Sequence, residues 1–487
     1  MFRRRAMVLG VHIRWLLPVL VLVVIDPLIP NMVRAAITTS GSVGPGDPAT
    51  WDDSTTNAYV GADAPGSLRI DGGTGIVSYF AYIGLDPGGI GTATVAGSGS
   101  MWNSSCYFYI GDYGGTGTLN ISSGGNVTSL FSVIGFSSAT TGVTTGVATV
   151  AGTASTWTTT YDLDVGMEAG GNGTLNIIDG ATVSSYTGLI GEMSGATGVA
   201  KVSGTGSVWN VGQLYVGSDG GSGMLSIIGG GTVTARSGSV NGTSLLAIDV
   251  DRGSTLSMSG STITDNGTIR ILAGASVPAN HTYSPIVAGS WSGTGTYQAV
   301  GGTWNTTSHR FTASSVTKGT SGTPVALELA TVQRAIVDDN GPGGTNWEVG
   351  ASFVAATSTT NVTFTATAMN SAILDVLKAD LPANESILSG WAYATTNYSV
   401  SATNPIYFSF NVGAGHPADE LDLWHYDGST WTKYVPDDLT YDGTFASFTA
   451  TGLSGYAMTA VPEPGTLALL AAGLFGLLAY AWRRRHL

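Results

Sequence analysis

The chain has 487 residues, with 71 glycines, 17 prolines, 18 basic and 32 acidic side chains. It is too long for one ordinary domain and too weakly charged for a disordered acidic chain, while glycine without a strict three-residue register excludes a collagen triple helix. Eight of the 18 basic residues lie at the two ends, so residues 37–460 hold 10 Lys/Arg against 30 Asp/Glu, a surface that repels the phosphates of a nucleic acid.

Residues 1–36 open with Arg3, Arg4, Arg5 and Arg14, pass through the ten-residue apolar run Leu16–Ile25 and reach Ala35-Ala36. An apolar run of that length is too short to cross a bilayer stably. The three parts in this order predict a secretory signal peptide, cleaved after Ala35 or Ala36.

The body repeats. Trp51, Trp102, Trp157 and Trp209 are spaced 51, 55 and 52 residues apart. After each comes an apolar-Gly pair, as in Ile110-Gly111 and Val165-Gly166. A glycine-led alternating segment follows, such as Gly117-Thr-Leu-Asn-Ile121 or Gly173-Thr-Leu-Asn-Ile177. A second apolar-Gly pair and an Ala-x-Val segment complete the unit. Period-2 alternation marks strands, and glycine at fixed offsets marks turns. No unit has the apolar residues for a core of its own, so the copies must stack as a solenoid with two coils per repeat. The units run 51–101, 102–156, 157–208 and 209–240, with degenerate coils to residue 300, inside a solenoid spanning 37–300. A propeller would need more blades and a more even length. The open end of the stack needs a cover.

Residues 301–460 have the composition to provide that cover, as a β-sandwich-like module. Asp427-Gly428 sits between two strand-like runs, and Ser371–Leu381 is a helix bounded by Asn370 or Ser371 and Pro382.

The tail 461–487 has three parts: Pro462-Glu463-Pro464, the uncharged stretch Thr466–Trp482, and Arg483, Arg484 and Arg485. Seventeen uncharged residues reach the lower limit for a transmembrane helix, and the arginines hold the last residues in the cytoplasm. The two prolines keep the tripeptide extended at the membrane surface. This tail resembles the PEP-CTERM sorting signal of Gram-negative, exopolysaccharide-producing bacteria. The resemblance implies an exosortase-like enzyme as partner, a membrane-anchored precursor, and delivery to the cell surface or extracellular matrix. The Gly-Thr-Leu-Asn-Ile and apolar-Gly elements look like the autotransporter- and PEP-CTERM-associated repeat, which implies a right-handed parallel β-helix, an all-β fold. A passenger of the autotransporter type is disfavoured, because the C-terminus has no array of amphipathic strands to form a barrel.

Several constellations can carry chemistry. Asp63, Asp112, Glu168 and Asp219 follow apolar-Gly pairs, with Asp86 nearby; stacking would set them in a carboxylate ladder able to bind Ca²⁺, or they are polar turn residues. Between residues 51 and 240 the only cations are Arg69, Lys201 and Arg236, without a histidine, which leaves a polysaccharide lyase no base. A carboxylate-only hydrolase could use Asp162 and Asp164 on one strand face. Asp422, His416 and His425 lack ligand spacing, Trp391, Trp424 and Trp431 suit cross-strand packing better than sugar stacking, and Cys106 has no disulfide partner in the chain. No cofactor is implied. The sequence reads as a non-enzymatic exported repeat protein with exopolysaccharide as its surroundings, and a polysaccharide hydrolase on the same scaffold is the alternative.

Overall fold

The computed structural model describes residues 36–138, 142–338, 347–356, 361–416 and 420–461. Residues 1–35 of the expected signal peptide, the Pro462-Glu463-Pro464 motif, the expected helix 466–482 and Arg483, Arg484 and Arg485 lie outside them.

Ten parallel strands, from Gly66–Asp71 to Thr296–Val300, build one sheet of the solenoid, so the chain makes about ten coils. At about 4.8 Å per coil the rod is on the order of 50 Å long. The second sheet starts as two arms, such as Met101–Ser104 and Tyr107–Asp112 on either side of a bend at Ser105-Cys106. From Thr182–Ile190 onward the arms fuse into single long strands. The all-β solenoid with two coils per repeat is as the periodicity predicts.

Register explains why the repeat is two coils and not one. Along the first sheet one interior ladder reads Leu68, Ala93, Leu119, Ala148, Leu175, Ala200, Leu225. Across the core the facing ladder reads Ile76, Trp102, Val127, Trp157, Val183, Trp209, Val233. Every coil that holds alanine therefore holds tryptophan, and every coil that holds leucine holds a branched aliphatic. A third ladder alternates Phe108, Ser132, Leu163, Gly188, Leu214, Gly238, small in the coils without tryptophan. The indoles overhang these small positions: a Cβ built on Gly188 would stand 2.6 Å from the Trp209 ring. Core density leaves no room for two bulky residues there. Trp102, Trp157 and Trp209 are fully buried in this column, with an aliphatic coil between each pair, while Trp51 precedes the first strand of its coil and packs 6.2 Å from Trp102.

Corners are fixed by glycine. Gly61, Gly84, Gly111, Gly135, Gly166, Gly191 and Gly217 all have φ between 69° and 75°, and at Gly166 a Cβ would lie 2.1 Å from the Thr197 carbonyl. Both the left-handed backbone and the close approach demand glycine.

The starting edge is covered and the far edge partly so. At the start, Ala36–Gly41 pairs antiparallel with Gly66–Asp71, and Val43–Gly44 with Asn57–Val60. At the far end Val300 bridges Val354, the Gly301 N–H donates to Phe353 O, and a three-stranded sheet containing Arg310–Ala313 packs beneath. Among the described residues, the strand Ile286–Gly293 that ends the second sheet pairs only with Thr255–Asp265, so its outer edge keeps no strand partner.

The chain after residue 315 forms two six-stranded sheets that share one apolar core. Rings from opposite sheets meet in it, with Tyr393 stacked on Phe408 at 4.1 Å and Tyr456 near Phe448 at 5.3 Å. The helix Ser371–Asp380 is capped by the Asn370 side chain, which accepts from Ile373 N–H. The Asp427-Gly428 hairpin is a four-residue loop, Asp427–Thr430, between paired Tyr426 and Trp431, and Asp427 accepts from the N–H groups of Ser429 and Thr430.

This module also lies against the side of the rod, which the sequence did not suggest. Lys201 donates to Leu439 O at 3.2 Å and Arg270 to Ala402 O at 2.8 Å, while buried Arg334 donates to the carbonyls of Gly274, Val277 and Ser314. Carbonyl oxygens, which carry no net charge, accept from each of these cations, though Arg334 Nε keeps no partner, and burial holds the Lys201 and Arg334 groups below their usual ranges.

Size compensation in the core is testable. Gly188→Leu should cost about 1–3 kcal/mol through overpacking, and Trp209→Val more, through a cavity. In the double variant the new leucine fills the space the indole leaves, so denaturant unfolding should show a favourable coupling of at least about 1 kcal/mol.

Candidate functional site

The outward face of the arm that carries Tyr107–Asp112 holds a second set of ladders. The residue before each apolar-Gly pair forms one column: Tyr59, Tyr82, Tyr109, Val133, Asp164, Leu189, Tyr215. Tyr59, Tyr82 and Tyr109 stack at 5.3 Å between successive rings. Beside them Phe80, Tyr107, Phe131 and Tyr161 stack at 5.9, 4.8 and 5.0 Å. Within a stack the ring faces cover one another, so these rings present mainly edges to solvent and brace the coils.

The tyrosine column stops at Val133. Tyr82 stacks on Tyr109, Phe136 packs edge-on against it at 6.0 Å, and a groove of about 410 Å³ opens beside them. Tyr107, Tyr109, Phe131 and Phe136 line it together with Val133, Leu189 and Met167, and Asp162, Asp164, Thr187 and Glu192 complete it. Asp162 and Asp164 flank the core residue Leu163 and so share the outward face of Asp162–Met167, as the alternation predicts.

The carboxyls here are poorly solvated. Asp164 is 8% exposed, and its Oδ1 atom is buried without a hydrogen-bond partner, as is Oε2 of Glu192. Burial, then the charges of Glu192 and Asp162, hold Asp164 well above the usual carboxylate range. Glu192 is raised by burial and then by Asp219, Asp162 and Glu168. No basic side chain lines the groove.

At the chain's end, residues 460–485 match the family model described as the PEP-CTERM protein-sorting motif. The chain is a PEP-CTERM protein. No curated protein matches it. The motif marks an exported precursor that an exosortase processes. The match covers the tail alone, so the groove of this PEP-CTERM protein has to be read from its own geometry.

The expected carboxylate ladder does not form as drawn. Asp112 sits one place after its apolar-Gly pair, in register with Leu85 and Phe136, whereas Glu168 and Asp219 sit two places after theirs, in turns at positive φ. Asp112 is therefore inside the wall of the rod, 1% exposed, with both carboxylate oxygens unpartnered. Burial pushes its carboxyl up to about 7, and the charge of Asp86 adds to this; the neighbouring Tyr113 N–H pulls the other way but donates its hydrogen bond to Phe136 O. Asp63, Asp86 and Asp219 are exposed. Among the described residues no group of His, Cys, Asp and Glu is arranged to hold a metal ion.

The other singled-out residues are separate. Asp422 pairs with Lys433 at 2.7 Å, and His425 hydrogen-bonds Ser454. Trp391 donates to Ser389, Trp424 to Thr459 and Trp431 to the Ile373 carbonyl. Cys106 is a free thiol. The groove was missed, although tyrosine before three of the first apolar-Gly pairs signals it.

A raised carboxyl keeps its proton to higher pH in the folded chain than in the unfolded one. The stability this favours is present below about pH 4 and is lost as pH rises toward 7. Asp112→Leu, which repeats Leu85 of the coil below, should flatten that fall and stabilise the protein by on the order of 2 kcal/mol at pH 8, read from thermal midpoints across pH.

Proposed function

We propose that this is a non-enzymatic structural protein of the cell surface or exopolysaccharide matrix, a rod delivered by exosortase-like processing at Pro462-Glu463-Pro464. The observation that carries this reading is the pairing of the sorting motif at residues 460–485 with a solenoid whose starting edge is capped by antiparallel strands. Signal-peptide cleavage after Ala35 would free Ala36, the first residue of the capping strand. Helix 466–482 with Arg483, Arg484 and Arg485 would hold the precursor in the inner membrane until processing. The coil is right-handed by the general rule for parallel crossovers. Threonine and asparagine on the outward face of the first sheet, among them Thr94, Asn120, Thr149 and Asn176, suit a hydrated polysaccharide setting. Adhesion or scaffolding fits such a surface.

The hydrolase alternative has one observation in its favour, the Asp162 and Asp164 carboxyls on adjacent outward positions beside a groove. A sealed Asp164 Oδ1 argues against it, since an acid catalyst must reach the glycosidic oxygen.

Fractionation and intact mass of the protein from its host test the main reading. Wild type should appear outside the inner membrane, shortened near residue 464, and deletion of 461–487 should leave an unsorted periplasmic product. Recovery of full-length wild type solely in the inner membrane would overturn the sorting assignment. Incubated with neutral and acidic glycans, the protein should release no new reducing ends; their appearance, lost in Asp164→Asn, would establish the enzyme instead.

A further inference from the structure

We infer that the outward face of the first sheet binds ice. Four consecutive strands, Ile90–Ala96, Thr116–Ser122, Thr144–Ala151 and Gly171–Ile178, pair in parallel with no shift of register. The side chains that alternate with the buried ladder therefore stand in straight columns. One column reads Thr92, Thr118, Val147, Thr174 and the next Thr94, Asn120, Thr149, Asn176, all of them half-buried. The flanking columns, Ile90 to Asn172 and Ala96 to Ile178, add no charged or aromatic residue. On a chain with 30 acidic side chains between residues 37 and 460, this face is uncharged across four positions and four coils. Among the described residues the hydroxyls of Thr92, Thr94, Thr118 and Thr174 have no protein hydrogen-bond partner, and Asn176 reaches Thr149 at 3.5 Å. They are left to water.

Backbone pairing fixes the spacing of that water. Residues in a column repeat at about 4.8 Å along the rod, and the two columns stand about 6.6 Å apart along a strand. Both spacings approach the oxygen repeats on the prism face of hexagonal ice, so waters held by the threonines form rows that continue its lattice. Each threonine anchors a water through its hydroxyl, while its methyl leaves the neighbouring water bonded to other waters. Other ligands fit this face less well. Uronates and phosphates need free cations, and Arg69 at its border is paired with Asp71 at 2.8 Å. Sugar stacking needs aromatic ring faces, and protein interfaces draw most of their affinity from Trp, Tyr and Arg; none of these stands here. The hydrogen bond from Lys201 to the second module lies one coil beyond Asn176.

Ice binding goes beyond the matrix reading and does not depend on it. Full-length chain in dilute neutral detergent is offered to a slowly growing ice surface, with a soluble protein of similar size and net charge in the same solution as control. The chain should enter the ice at about tenfold or more the fraction of the control. Thr118→Tyr and Thr174→Tyr, which raise a ring above the flat face without touching the core, should each fall to the control's level with thermal midpoints unchanged. Thr158→Tyr, at an exposed position of the second sheet, should partition like wild type. Exclusion of wild type from ice, retention of both folded face variants in ice, or an equal loss in Thr158→Tyr would each overturn the inference. So would wild type that sediments with a microcrystalline neutral glucan while ice rejects it.

Discussion

The interior cross-section of the rod is nearly constant, and tryptophan can enter it only where the neighbours yield. Trp102, Trp157 and Trp209 each share a coil with an alanine, and the Trp209 ring overhangs Gly188 in the coil before it. Backbone hydrogen bonding sets the coil spacing, so volume cannot be adjusted by moving coils apart. The sequence adjusts instead, by alternating large and small residues in three ladders at once. Two of the indole nitrogens follow the same plan, Trp102 donating to Ser78 and Trp209 to Ser185, one coil below in each case, whereas Trp157 Nε1 is buried without a partner.

The outer surface shows what the packing leaves free to vary. Along the first sheet the outward threonines and asparagines give way to Lys201, Met224, Leu245 and Arg270 where the second module docks. That contact holds buried cations on carbonyl oxygens and buries Asp249, which accepts from Gly229 N–H and Ser254, so it is specific before it is strong. On the opposite arm the tyrosine ladder brings order without that polarity. Where it is interrupted at Val133, aromatic rings, apolar side chains and carboxyls line one groove.

Much of this was legible locally. Alternation in segments such as Gly173-Thr-Leu-Asn-Ile177 gives strand and facing together, and the apolar-Gly pairs give corners, because their physics is contained in a few consecutive residues. Asp112 was misplaced for a reason of one residue: it follows Gly111 directly, which puts it in the strand wall and not in the turn. The groove escaped because its residues are chosen by vertical neighbours about 25 positions apart and carry no local pattern of their own. Docking of the second module joins Lys201 to Leu439, 238 residues on, and nothing near either position announces it.

The two-coil unit also constrains how such a molecule can change over generations. Loss of a single coil between Trp102 and Trp157 would seat indole directly on indole, with alanine on alanine across from them, one layer swollen and its facing column hollow. Gain or loss of a matched pair leaves every layer in step. Lineages of this rod can therefore lengthen or shorten by whole doublets of some fifty residues, while half-steps are removed by selection at the folding stage.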